Sequence, residues 1–464
     1  MVRATSAFTF EDAFAQLGQA RLGHKDRTTR LVDSAQRIAD HPGGTLPAKL
    51  HCPAAYQGTL RLINKPTVTH ASVMEPHYAA TLQQARQSRS TVLFIHDTTE
   101  LDYSGQQTLS SLGPIGKGTT QGYLAHHSLA VDADTGEMIG LAQQILHTRE
   151  AVPAKEGVKA KRERKSRESR LWVRAVERVG PAPAESHWVD VCDRGADTFE
   201  MLDYEMQHQR HFVIRSSHNR ALVIDQEPHL LHDYLRAQPS MTSWQVQVST
   251  NGSQTARLAQ VNATWQAVQV RSPHVRRGKH GHEPLSLWAL RVWEPQPPPE
   301  VNQPLEWILL TDEPITDEQS ARRLVRYYEL RPRVEELHKA QKTGLGIEQL
   351  QLQSQAGLQP MIALLSILAV ALVNARYAAR DEERAEQPAT EYFDPLWVLV
   401  LSIWRYEQVR PLTVREYVMA LGRLGGHLNR KCDGLPGWQT LWKGTMQLQT
   451  MVEYEKSRRL CDKL

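Results

Sequence analysis

The residues of this 464-residue chain with the clearest capacity for chemistry lie in one stretch, Tyr328 to Lys342, which reads YELRPRVEELHKAQK. Glu335 sits there among Tyr328, Arg331, His338, Lys339 and Lys342. Pro332 suits the first position of a helix and Gly344 its end, so the spacing predicts a helix with Glu335, His338, Lys339 and Lys342 on a shared face. A carboxylate among cations can hold a divalent metal while its neighbours hold phosphate oxygens. The same residues would also make an ordinary solvated face with ion pairs, so the stretch needs partners. Asp97 and Asp193 are candidates. Each follows a short apolar run, TVLFI at 91–95 and WVDVC at 188–192, and is expected at the end of a strand. Magnesium takes oxygen ligands, few of them from protein. Two such ions roughly 3.5–4 Å apart can activate an attacking oxygen and stabilise a leaving one at phosphorus. Spacing alone does not single out three acids in a chain with 51 acidic residues.

The elements that would position these acids follow from periodicity and turn punctuation. Phe8 to Leu22 and Asp26 to Ala39 read as amphipathic helices, the second with Leu31, Ala35 and Ile38 on one side and Arg27, Arg30 and Arg37 elsewhere. A turn at 41–44 and a short segment with Tyr56, Arg61 and Lys65 complete a helical region over 1–75. From residue 88 the period changes. Strands are expected at 91–95, Gly122–Val131 and Met138–His147, the last two joined by DADTG. A helix at Leu171–Val179, a strand at Trp188–Cys192, a helix from Asp197 and a strand at Phe212–Arg215 give the order β-β-β-α-β-α-β. Residues 216–305 are strand-rich, with a basic loop HVRRGKHGH at 274–282, and read as an all-β insertion in a core spanning 76–380. Trp307–Leu310 is a further strand, and Thr316 with Gln319 a capping box. An acidic linker near 380–395 leads to a helical region, 381–464. The densest positive run, 155–170, is a solvated loop able to follow phosphates.

Bulk properties bound the class. The charged content of 23%, hydrophobic content of 41%, net charge of +4 and pI near 8.8 describe a mildly basic globular chain that permits nucleic acid as a partner. Four scattered cysteines form no CxxC pair, which argues against both a structural zinc site and a disulfide framework and for a reducing compartment. The N-terminal residues have no signal-like apolar run. The stretch Met361–Val373, 13 residues, is too short to span a bilayer, so no membrane role is expected.

The spacing of Tyr328, Arg331, Glu335 and Lys342 resembles the YREK signature of bacterial DDE transposases, of the insertion-sequence-four group and especially the transposon-five type. HDTTELDYSG at 96–105 and VCDRGAD at 191–197 resemble that family's two aspartate segments. FVIRS at 212–216 and EWILLTDEP at 306–314 resemble the strands that bound its β insertion. LGHKDRTTRLV at 22–32 and RLGGHLNRKCDGLPGWQTLWKG at 423–444 extend the likeness over nearly the whole chain. The resemblance implies an α/β fold: an RNase H-like core with Asp97, Asp193 and Glu335 as ligands for Mg2+, Mn2+ substituting. It further implies an N-terminal helical domain that binds transposon-end DNA, and a C-terminal helical region that makes a homodimer. The implied reaction is cut-and-paste transposition, by strand hydrolysis, hairpin formation and joining of 3′ ends to target DNA. The implied location is the bacterial cytoplasm, at the nucleoid. Tyr328, Arg331 and Lys342 match contacts to DNA phosphates, and Trp307 matches a tryptophan on which a flipped base stacks. Arg194 and Arg215 match end contacts, and Arg27, Arg30 and Arg61 match N-terminal ones in register; His338 and Lys339 are added for their place beside Glu335.

Two departures stand out. Gly195 replaces a frequent glutamate and is expected to loosen the turn after Asp193, while Pro332 replaces an aromatic and fits a helix start. The rival readings are a stand-alone metal-dependent nuclease, which would not need the flanking regions, and a catalytically idle DNA-binding derivative, which should have lost an acid. A glycosidase is disfavoured by the basic residues around Glu335.

Overall fold

The computed structural model describes residues 8–461 except 107, 110–111, 117, 151–163, 165, 225–226, 249–256, 274–282, 300, 302–303, 378–381 and 431–433. Most of the basic run at 155–170 and the whole basic loop at 274–282 therefore lie outside the described residues.

Five helices come first: α1 (Phe10–Leu17), α2 (Lys25–Asp40), α3 (Leu46–Leu50), α4 (Pro53–Ile63) and α5 (His70–Gln87). Thr9 and Thr69 cap α1 and α5 in reciprocal boxes with Asp12 and Ser72, which satisfies backbone donors that a helix start leaves open. Leu31, Ala35 and Ile38 of α2 are buried, as their spacing predicts. A boundary at residue 75 would cut α5. Residues of α1–α4 also share one apolar core with the sheet and with the long helix α11 below, so these helices do not pack as a separate body.

The middle of the chain builds one mixed sheet, and the protein is of the α/β class. β1 (Val92–Asp102), β2 (Gly113–Pro114), β3 (Gln121–Asp132) and β4 (Met138–His147) pair antiparallel. Next come α6 (Leu171–Val179), β5 (Trp188–Cys192), α7 (Phe199–Gln207) and β6 (His211–Arg215), with β1, β5 and β6 parallel. Then follow β7 (Ala221–Ile224), β8 (Glu227–Leu230), α8 (Leu231–Ala237), β9 (Thr242–Val248), β10 (Arg257–Val270), β11 (Leu285–Trp293) and β12 (Glu306–Thr311). The strand order is β2-β3-β1-β5-β6-β12-β11-β10-β7-β8, with β4 on β3 and β9 on β10. Segment 216–305 is thus not all-β, because Leu231 and Leu235 pin the helix α8 into the core. Its strands prolong the sheet through β12, which pairs with both β6 and β11.

Strand alternation sorts the side chains into two layers. Leu93, Ile95, Val189, Val191, Val213 and Leu309 face the core shared with α1–α5 and α11, while Cys192, Phe212, Ile214, Ile308 and Leu310 face the core shared with α6 and α7. Beneath the parallel strands lies a buried ionic network. Asp190 accepts from His96 Nε2 at 2.7 Å and from Arg210 Nε at 2.9 Å, and Glu205 lies 3.4 Å from the same guanidinium. Burial pushes Glu205 well above the carboxylate range, with Asp190 adding to the effect; Asp190 itself is held low, against burial, by Arg210 and His96.

After the sheet come α9 (Glu318–Glu329), α10 (Pro332–Lys339), a single π turn (Ala340–Gly344) and α11 (Gln355–Tyr377). The capping box of α9 is Asp317 with Ser320 rather than Thr316 with Gln319; the Ser320 hydroxyl also accepts from the Thr316 N–H, which fixes the chain one residue later. α11 is long and apolar enough to cross a membrane, yet 83% of its most apolar window is buried inside the molecule, where it is the central core helix. It covers a layer of buried histidines. His127 meets His338, Gln341 and Gln144, while His77 accepts from the Leu141 N–H. Burial pushes His77 and His127 down to about 3. α12 (Glu382–Ala385), α13 (Pro395–Tyr406), α14 (Val414–Leu424) and α15 (Trp438–Cys461) complete the chain, and α13–α15 hold their own apolar cluster.

Removing one member of a buried ion pair leaves the other charge desolvated. Arg210→Ala should therefore lower the unfolding free energy by about 3–5 kcal/mol in urea titrations.

Candidate active site

The register of the parallel strands assembles the site. His96 pairs with Cys192, and Cys192 with Ile214, so Asp97, Asp193 and Arg215 come next in line on β1, after β5 and on β6. Adjacent strands lie about 4.8 Å apart, so the two carboxylates are neighbours. Asp97 is not at a strand end, however. It is the sixth residue of an 11-residue strand whose second half, polar in sequence, is held by β3 alone. Asp193 does end its strand and caps a short turn, accepting the Gly195 N–H at 2.8 Å. By alternation Asp97, Asp193 and Arg215 share the face of Ile95, Val191 and Val213. Arg215 pairs with Leu309, two residues along β12 from Trp307, which brings the indole to the same face.

The chain from α9 to α10 lies over this strip. Tyr328 is buried, with its ring edge-on to Trp307 at 5.4 Å between centroids, and the Arg215 guanidinium is 6.0 Å from the Tyr328 ring centre. Arg331, in the break between the two helices, donates from Nη1 to Asp97 Oδ2 at 3.1 Å and from Nη2 to Glu335 Oε1. Pro332 is the first residue of α10, as expected. Tyr328 and Arg331 therefore touch one strip of sheet, and Glu335 is linked to Asp97 through a shared guanidinium, with Asp193 close enough for its charge to be felt.

The electrostatics record the crowding. Burial raises Asp97, Arg331 opposes it, and the charges of Asp193 and Glu335 add to the rise, so its carboxyl is pushed up to about 6. Burial works against the Arg331 charge, and Asp97, Tyr328, Glu335 and Asp193 outweigh it. The three acids are drawn together without closing into a tight ligand set. Among the described residues, the His, Cys, Asp or Glu triples with donor atoms all within 4.8 Å of one another are two others, His41–His51–Glu453 and His187–His211–Glu313.

The remaining expected contacts divide. Lys339 and Arg194 are exposed, and Lys342 pairs with Glu348 at 3.2 Å. The π turn inserts extra backbone after Lys339, which alters the angular step from Glu335 to Lys342. His338 faces away from solvent: it is 8% exposed, lies 3.1 Å from His127, and burial drives it well below the usual histidine range. It belongs to the core because α10 turns Val334, Leu337 and His338 inward together. Arg30 and Arg61 are exposed on α2 and α4, whereas Arg27 is spent internally on Leu22 O and Thr67 Oγ1. Glu348, which no sequence pattern marks, also accepts the Asp102 N–H at 3.0 Å and so ties the far end of β1 beneath the site. Gly195 is exposed, yet a Cβ there would come within 2.6 Å of the Trp172 ring, so a larger residue would force that ring to shift. A scan of the sequence against protein-family models finds none that matches.

Gly195→Ala should cost about 1–3 kcal/mol through overpacking, seen as a lower Tm. Asp97 holds its proton more readily in the folded chain than in the unfolded one. Its contribution therefore favours folding fully below the ordinary aspartate value of 3.8 and is lost as pH rises through about 6. In urea unfolding between pH 4 and 7, the unsubstituted chain should lose up to about 3 kcal/mol relative to Asp97→Asn. Parallel pH profiles for the two proteins would contradict the burial described for this carboxyl.

Proposed function

We propose that this chain is a metal-dependent DNA transposase of the YREK-signature DDE kind, acting by cut-and-paste on paired transposon ends. The observation that carries the reading is the gathering of Asp97, Asp193 and Glu335, from three distant parts of the sequence, around Arg331 at one edge of the parallel strands. The order of strands and helices supports an RNase H-like core: β1, β3 and β4 pair antiparallel, and β5 and β6 extend the sheet in parallel beside β1. The strand-rich segment 216–305 falls between β6 and β12, where an insertion in such a core is expected.

The donor set suits magnesium. All three side chains offer oxygen, and the charges of Asp193 and Glu335 add to burial in pushing Asp97 up to about 6 against Arg331. Asp97, Asp193 and Glu335 would hold the ion, with manganese an acceptable substitute. Bound there, such ions activate the attacking oxygen and stabilise the leaving one at phosphorus. Arg331 has the planar fork that pairs with phosphate as well as with carboxylate, and the exposed Lys339 adds a point charge on the same helix as Glu335. Trp307 is half-buried, backed by Tyr328 and next to Arg215, which suits stacking of an unpaired base near the acids. Exposed Arg30, Arg61 and Arg194 are available for phosphates of a bound duplex. An apolar groove between α13 and α15, where Ile403, Trp404 and Tyr454 are exposed, supports a homodimer formed through the C-terminal helices.

The test uses the purified full chain, magnesium, duplexes carrying the inverted repeats that flank its gene, and a target plasmid. Nicking, a hairpin intermediate and joined 3′ ends are expected, with Glu335→Gln slower by at least about 10³-fold. Trp307→Ala should retain nicking and slow hairpin formation by roughly 5- to 100-fold, the worth of one stacked base. Undiminished cleavage by Glu335→Gln would reject the site. Cutting of any duplex without end joining would leave a stand-alone nuclease instead.

A further inference from the structure

At the opposite end of the same strands stands a cluster that DNA chemistry at the three acids does not use. His187 precedes β5, His211 opens β6 and Glu313 follows β12, and one donor atom from each lies within 4.8 Å of the other two. Val189 pairs with His211, so the cluster is six residues back along the chain from Asp193, or about 20 Å at 3.3 Å per residue.

The neighbours of these residues fix how they are presented. His187 Nδ1 lies 2.9 Å from Thr91 Oγ1, and its Nε2 lies 3.1 Å from Glu313 Oε1. His211 Nδ1 lies 2.8 Å from Asp312 Oδ2 and donates there; that carboxylate also favours the protonated ring, so an ion at Nε2 takes the place of a proton. Asp312 is itself anchored by the Phe212 N–H at 3.0 Å. A histidine whose far nitrogen donates to a carboxylate or hydroxyl is the usual support for a metal-bound imidazole. Glu313 is 7% exposed, and its Oε1 is paired with the His187 imidazole across that 3.1 Å. Its other oxygen is held by Arg323 Nη2 at 3.3 Å. Two donors bound to one tetrahedral zinc at about 2.0–2.1 Å stand roughly 3.3 Å apart, close to the 3.1 Å between His187 Nε2 and Glu313 Oε1. The two histidine side chains are 38% and 42% exposed, which leaves an ion a way in from solvent.

We infer that His187, His211 and Glu313 form a binding site for a zinc-type transition cation, separate in position and in metal preference from the carboxylates at Asp97. Imidazole nitrogen selects zinc, cobalt or nickel over magnesium, which keeps to oxygen. The ion clasps the segment before β5, the start of β6 and the end of β12. Through Arg323 on Glu313, and through the Tyr327 hydroxyl on Thr91, the clasp extends to α9, the helix that carries Tyr328. This inference does not rest on the transposase reading.

The experiment is zinc titration of chelator-stripped full chain against a chromophoric competitor, in millimolar magnesium, with cobalt absorption as a second readout. A zinc Kd below about 1 μM, unaffected by magnesium, is expected. His187→Ala and His211→Gln should each weaken it at least about 100-fold. His41→Ala, which disrupts the other histidine–glutamate grouping, should leave it unchanged. The variants' far-ultraviolet circular dichroism without metal checks that they fold. Cobalt bound to the unsubstituted chain should give the intense visible bands of four-coordination, a readout that needs no variant. Zinc binding equally tight in His187→Ala and His211→Gln, a Kd weaker than about 100 μM, or only the faint bands of six-coordinate cobalt would overturn the assignment.

Discussion

Parallel pairing of β1 with β5 forces two aspartates onto adjacent strands, and most of the architecture serves to tolerate that repulsion. Asp97 is only 16% exposed, so water screens it poorly and a fixed cation takes that part. Arg331 supplies it from the short break between α9 and α10, where the chain is free to aim a guanidinium downward. The break is itself stabilised by Pro332, which starts the second helix without an N–H to satisfy. On the reverse face of the same strands, His96, immediately before Asp97, and Asp190, three residues before Asp193, are locked together with Arg210. The carboxylates are thus clamped from both sides of the sheet, and their freedom to move apart is small.

The strand-rich segment extends this logic sideways. Because β12 pairs with β6 on one edge and β11 on the other, Trp307 is fixed by a sheet and not by a loop. Glu306, its neighbour, binds Arg236 at 2.7 Å and Arg291 at 2.9 Å and is held down to about 2, chiefly by its hydrogen bond to Arg236. That ties α8 and β11 to the start of β12. The indole is thereby presented on a rigid support.

Much of this was legible beforehand, and the failures have physical causes. Met138–His147, Leu171–Val179 and Trp188–Cys192 match the expected elements residue for residue, because apolar pattern and turn residues agree there. β1 runs past its apolar half because β3 pairs with Thr98–Asp102, a nonlocal contact that no window reveals. The pairing of Arg331 with Glu335 was readable from their step of four on a helix. His338 was misread because a helical step of three says which residues are neighbours and not which way the helix faces. Lys342 was misaimed because a π turn carries no reliable sequence mark. The short helix α8 was hidden by a run too brief for a 3.6-residue period to stand out.

The layer of histidines under α11 sets a limit on where such a molecule can work. His77 and His127 are uncharged when folded, and their basicity returns once the chain opens. Each therefore contributes stability that is intact above the ordinary histidine value of 6.5 and drains away as pH falls from there toward about 3. Mild acid would draw protons into the open form long before most surface carboxylates respond. The core that carries the acids is in this sense a neutral-water machine, sealed against protons by its own imidazoles.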